Sequence, residues 1–182
     1  MKKIMFLCHG NICRSPMAEF IMKDILRKSG SEADFMVSSA AVSDEETGNP
    51  VYPPALSKLR EKGIPAGKHQ AHRISVEEFR ESDLVIVMDR SNIDFLTYIV
   101  GQDAVYNSGK VHMLMEYAQS ARDGMTGGED NSSCTGKRQF RYPSVADPWY
   151  TRDFETTFHD VMAGCIGLAY RLGVSCRFDR QE

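Results

Sequence analysis

Ile4-Met5-Phe6-Leu7-Cys8-His9-Gly10-Asn11-Ile12-Cys13-Arg14-Ser15-Pro16 is the stretch on which the reading of this chain turns. Ile4 to Leu7 is a short unbroken apolar run that stops at a glycine-containing turn, the pattern of a strand buried on both faces. Past the turn, Pro16 suits the first turn of a helix, and Met17, Phe20, Ile21, Ile25 and Leu26 recur at helical spacing until Ser29-Gly30 stops them. Strand, turn and helix together open a βα unit.

Working outward, Phe35 to Ser39 and Leu84 to Met88 read as further strands, and Lys110 to Leu114 as a weaker fourth. Helices are predicted over Ala55 to Lys62, Ser91 to Ile99 and Phe154 to Leu172, the last from apolar residues at intervals of three or four. Strands alternating with helices imply an α/β fold: a three-layer single domain over 1–182 with a central four-stranded parallel sheet, Rossmann-like, joined by right-handed crossovers. Sites in such sheets form at the carboxyl ends of strands, which directs attention to Cys8 and Asp89. Residues 118–146, rich in Gly, Ser and charge, read as a long mobile loop.

Composition narrows the function. With 42% apolar and 26% charged residues the 182-residue chain is an ordinary globular sequence, and a net charge of -3 gives no general basic field for nucleic acid, a local Lys137, Arg138, Arg141 cluster notwithstanding. Five cysteines without a repeated short spacing argue for reduced thiols rather than a secreted disulfide framework. No apolar run is long enough for a signal-peptide core or a membrane span, so a cytoplasmic protein without a membrane partner is expected.

The chemistry sits in Cys8 to Pro16, which brackets five residues between a cysteine and an arginine. Folded as a cradle, the backbone N–H groups of His9, Gly10, Asn11, Ile12 and Cys13 converge on one anion, with the positive end of the following helix dipole behind them. The field that favours a phosphate dianion also favours a thiolate at Cys8, and the thiolate is the nucleophile. Arg14 offers a planar fork for two phosphate oxygens that a lysine cannot match. Gly10 and Asn11 tolerate left-handed backbone, and Ser15 either caps the helix or donates to the Cys8 sulfur. Taken singly, Cys8 reads as a core cysteine and Arg14 as a surface charge; the strand before them and the Ser-Pro and helix after them favour the anion site.

These motifs resemble the low-molecular-weight protein tyrosine phosphatases over almost the whole chain. The similarity runs through Cys8 to Pro16, Ser39-Ala40-Ala41, Met88-Asp89-Arg90-Ser91-Asn92 and Asp147-Pro148-Trp149-Tyr150. The resemblance implies a phosphotyrosine phosphatase I-like fold acting on phosphotyrosine-containing proteins or small aryl phosphates. It implies reaction through a phosphocysteine, without cofactor or metal, with Asp147 as general acid; alone, Asp-Pro is usually a turn. It further implies that Asn11, Ser15, Ser39 and His69 form the network holding the loop's strained backbone, with His72 as the competing histidine.

Three departures qualify the match. Glu45 and Glu46 stand where many relatives place an aromatic wall, so part of the substrate rim is acidic. Trp149 replaces a tyrosine beside Tyr150, and a large flat ring still suits stacking on a phenyl phosphate. The segment from about Ala118 to Ala146 is longer than the family's usual connection.

Related readings share the architecture. Arsenate reductases need further cysteines for disulfide exchange, and Cys134 and Cys165 form no recognisable redox pair. Protein-arginine phosphatases carry a threonine where Ile12 stands, and an aliphatic side chain suits a phenyl ring better than a guanidinium. A phosphate-recognition module needs neither nucleophile nor acid. Finally, Cys13 either intercepts an oxidised Cys8 as a disulfide or fills an apolar gap behind the loop.

Overall fold

The computed structural model describes residues 1–122 and 140–174. Its strands are β1 (Lys2–Cys8), β2 (Phe35–Ala41), β3 (Leu84–Val87) and β4 (Val111–Met113), all parallel, in the order β2-β1-β3-β4. The helices, in chain order, are α1 (Arg14–Lys28), α2 (Pro53–Glu61), α3 (Val76–Glu81), α4 (Arg90–Val100), α5 (Gln102–Asn107), α6 (Leu114–Arg122), α7 (Pro148–Thr151) and α8 (Phe154–Arg171).

The two-residue period of a strand divides the core into two layers. Ile4, Phe6 and Ile86 pack with α1, α2, α6 and α8, whereas Met5, Leu7, Val85 and Val87 pack with α3, α4 and α5. β1 runs through the middle, Cys8 level with Ala41 of β2 and Leu7 with Val87 of β3. Ile4, Phe6 and Leu7 are fully buried, and each such side chain is worth about 1.5–3 kcal/mol of burial. Cys8 therefore stands at the end of a buried strand that is paired on both sides.

Two short helices escape the periodicity read in the sequence. α3 has a single buried residue, Phe79, but opens with a capping box in which the Ser75 hydroxyl accepts from the Glu78 N–H and Glu78 reaches back to the Ser75 N–H. α5 has only Val105 fully buried.

The expected loop over 118–146 is corrected at its start, because residues 118–122 continue α6. Leu114, Tyr117 and Ala118 are buried, and α6 lies along α8 where Gly164 and Gly167 leave room. A side chain at either glycine would run into Leu114 or the Tyr117 carbonyl. Residues 140–146 form neither helix nor strand, and the rest of the segment, 123–139, with Cys134, Lys137 and Arg138, lies outside the described residues, as does Cys176. Among the described residues, no helix is long and apolar enough to cross a membrane.

Candidate active site

The turn after β1 folds tightly around Asn11, which adopts φ 57°, a left-handed conformation uncommon outside glycine. Three contacts hold it there. The Asn11 carbonyl lies 2.8 Å from His69 Nε2, and its side-chain Nδ2 donates to Ser15 Oγ and Ser39 Oγ, each at 2.9 Å. Asn11 and Ser15 are wholly buried, so each polar atom must find a partner inside the protein. Ser15 lies inside α1 rather than capping it, and its Oγ is 3.0 Å from Cys8 Sγ. His72 joins through its backbone, donating to Asn11 Oδ1 at 3.4 Å, while its ring pairs with Glu78.

Gly10 is not in the left-handed region; only Asn11 in the cradle takes positive φ. What requires glycine there is proximity, since an added Cβ would sit 2.9 Å from Glu46 Cγ.

Arg14, buried in the first turn of α1, reaches two carboxylates. Nη1 meets Asp89 Oδ2 at 2.5 Å, and Nη2 meets Asp147 Oδ2 at 2.6 Å. Burial works against the guanidinium charge, but Cys8, Asp147 and Asp89 outweigh it and hold its pKa above the usual value. Asp89 caps α4, accepting from the Asn92 N–H and the Ser91 hydroxyl. Burial alone would raise its pKa, yet the Ser91 bond and Arg14 keep it below the ordinary carboxylate range.

Asp147 caps α7, its Oδ1 accepting from the Trp149 N–H at 3.0 Å. The segment before it is tied down by Val145 N–H to the Met88 carbonyl, Ala146 N–H to Asp160 Oδ2, and the Thr157 hydroxyl to the Ala146 carbonyl. A cavity of about 770 Å³ opens between the cradle and this segment, lined among others by Cys8, Arg14, Asp147, Ile12, Glu45 and Trp149. Tyr150 is 83% exposed at its edge, and Glu45 bonds the His9 ring at 3.1 Å.

The family model for low molecular weight phosphotyrosine protein phosphatase matches residues 3–176. The chain belongs to this family. It is similar to the human low molecular weight phosphotyrosine protein phosphatase, 38% identical over 166 residues, covering 90% of this chain and 91% of the human one. It is also similar to the low molecular weight protein-tyrosine-phosphatase YfkJ of Bacillus subtilis, 31% identical over 165 residues, covering 91% and 92%. Among solved structures, SP-PTP from Streptococcus pyogenes, a low molecular weight protein tyrosine phosphatase, superposes with a TM-score of 0.72 at 33% identity, covering 94% and 93%.

As a low molecular weight phosphatase the chain has site residues that the sequence pattern did not single out. Asp89 orients Arg14 from 75 positions away. Phe95 lines the cavity and meets the His9 ring edge-on at 5.2 Å. Tyr52 stacks obliquely on Trp149 at 5.9 Å and on Phe154 at 6.0 Å, supporting the aromatic wall from behind. Asp89 is the exception: its place at a strand end and in the Met88-Asp89-Arg90-Ser91-Asn92 element carried a signal, though its bond to Arg14 did not. Cys13 is buried beside Ile12 and Ala71, and that burial, reinforced by Cys8 and Asp147 against Arg14, pushes its thiol up to about 12.

Proposed function

We propose that the chain hydrolyses phosphotyrosine in proteins and small aryl phosphates through a phosphocysteine on Cys8. The observation that carries this reading is Arg14, whose guanidinium is fixed by Asp89 on one side and touches Asp147 on the other, in the cavity that Cys8 lines. Nucleophile, anion holder and acid thus share one space, the arrangement a two-step phosphoryl transfer needs.

In the first step the Cys8 thiolate attacks phosphorus and the bond to the tyrosyl oxygen breaks. Arg14 exchanges Asp147 for phosphoryl oxygens, and the cradle N–H groups take the rest of the charge, a fixed set of donors aimed where it develops. Protonated Asp147 gives its proton to the departing phenolate oxygen. In the second step Asp147, now a carboxylate, takes a proton from water as that water attacks phosphorus. The sulfur–phosphorus bond breaks, leaving inorganic phosphate and the Cys8 thiolate.

Ile12, together with Trp149 and Tyr150, gives the rim an apolar character suited to a phenyl ring. Glu45 and Glu46 add negative charge, which favours peptides carrying a basic residue beside the phosphotyrosine.

The test is turnover of a phosphotyrosine peptide, phosphoarginine and arsenate by wild type beside Cys8→Ser. Phosphotyrosine should be the preferred substrate, and the variant should lose turnover while still binding vanadate. Steady turnover by Cys8→Ser would remove Cys8 as nucleophile. Preference for phosphoarginine, or arsenite release coupled to thiol oxidation, would replace the proposed reaction by one of its relatives.

A further inference from the structure

Glu19 is a buried carboxylate to which the proposed chemistry assigns no part. It lies one turn after Ser15 on the same side of α1, with Lys23 a further turn on, and its side chain is only 12% exposed. One oxygen pairs with Lys23; the other, Oε2, accepts from Ser39 Oγ at 2.6 Å. From Ser39 a continuous run of hydrogen bonds passes through Asn11 Nδ2 and Ser15 Oγ to Cys8 Sγ, at 2.9, 2.9 and 3.0 Å.

The direction of every bond in that run follows from its far end. A carboxylate only accepts, so Ser39 must donate to Glu19. Ser39 Oγ then has lone pairs alone to offer Asn11, which fixes the Asn11 amide with its NH₂ toward the serines and its Oδ1 toward the His72 N–H. Both Asn11 hydrogens are thereby used, one on each serine. Ser15 Oγ accepts from Asn11 and keeps its own hydrogen free, with Cys8 Sγ at 3.0 Å nearer than the alternative Ala40 carbonyl at 3.4 Å. Without the carboxylate, both serine hydroxyls can turn and donate to a flipped Asn11 Oδ1, and the proton on Ser15 no longer points at sulfur.

We propose that Glu19 is a positioning residue that sets the polarity of the Ser39–Asn11–Ser15 hydrogen-bond chain, so that Ser15 donates to the Cys8 thiolate. This rests on Cys8 being the reactive thiol but does not depend on which phosphoester is hydrolysed.

Two effects of removing the Glu19 charge have opposite signs. Through space, losing a negative charge favours the thiolate and moves its formation to lower pH. Through the chain, losing the donated hydrogen bond disfavours the thiolate and moves it to higher pH. A hydrogen bond to an ionised group is strong enough for a shift on the order of one pH unit.

The experiment is the pH dependence of iodoacetamide alkylation at Cys8, followed by mass spectrometry of the Cys8 peptide, which reads the thiol without any substrate. The other charged and titratable groups lining the cavity with Cys8, namely His9, Arg14, Glu45, Glu46, Asp89 and Asp147, are unchanged throughout. Ser39→Ala should move the alkylation midpoint upward on the order of one pH unit, Glu19→Ala should move it upward by less because loss of the charge offsets part of the shift, and the double variant should move it no further than Ser39→Ala. Ser39→Ala leaves the Glu19 charge in place and serves where Glu19→Ala folds poorly. A downward or absent shift in the Glu19 variants, or additive upward shifts, would overturn the proposal. Failure of Cys8→Ser to abolish turnover would instead remove the nucleophile assignment and leave the alkylation result standing.

Discussion

The cradle around Cys8 and the arm that carries Asp147 meet at Arg14 but are built on different terms. In the cradle, Asn11, Ser15 and Ser39 are buried, and their bonds tie β1, β2 and α1 to one another. The arm lies across the mouth, with Trp149 and Tyr150 exposed, and is fastened through three backbone groups of Val145 and Ala146. Cys8, the proposed nucleophile, is thus preorganised by the fold, whereas Asp147, the proposed acid, is held by a handful of replaceable bonds. This division suits the chemistry, since attack on phosphorus demands fixed geometry and proton delivery needs reach over a range of leaving groups.

The strongest way to break the comparison is at the shared residue. Arg14→Lys should lower kcat by about 10³- to 10⁵-fold, the range associated with an arginine that stabilises a transferring phosphoryl group, because a point charge cannot span both carboxylates or two phosphoryl oxygens. Near-normal turnover would mean that Arg14 serves only to join cradle and arm.

Asp147→Asn should slow hydrolysis of phenyl phosphate by about 10²- to 10⁴-fold and that of esters with activated leaving groups much less. Equal losses across the leaving-group series would make the arm a positioning element. Asp160→Ala sharpens the contrast, because it removes the bond to the Ala146 N–H without touching the cradle. A loss of about tenfold on poor leaving groups, with Cys8 alkylation unchanged, is expected from one hydrogen bond to a charged acceptor. If alkylation slows as well, the two regions are not separable.

The smallest effect concerns the rim that both regions border. Ile12→Thr should raise activity on phosphoarginine relative to phosphotyrosine by a few-fold, roughly what one buried contact contributes. An unchanged ratio in a folded variant would hand specificity to Glu45, Trp149 and Tyr150.

What the sequence made legible follows the same line. The cradle is one contiguous run, so strand, turn and helix announce it together, and the family motifs place Asp147 beside it. Glu19 was invisible because its importance depends on Ser39 arriving from another strand, a juxtaposition that helical spacing does not report. Asp89 showed as a strand end and as part of a family motif; its bond to Arg14 is a tertiary fact. α3 carried a readable capping box, Ser75 to Glu78, but too little apolar pattern to be noticed. α6 hid because its buried residues, Leu114, Tyr117 and Ala118, begin where β4 ends and leave only a short apolar pattern.

One helix fastens both sides of the connection between α6 and the arm. α8 receives α6 against Gly164 and Gly167 and, a turn earlier, holds Ala146 through Asp160. The chain therefore lies against α8's flank at α6 and again at Ala146. In evolutionary terms the two glycines of α8 are constrained by the seat they make for α6, although neither lines the cavity that holds Cys8.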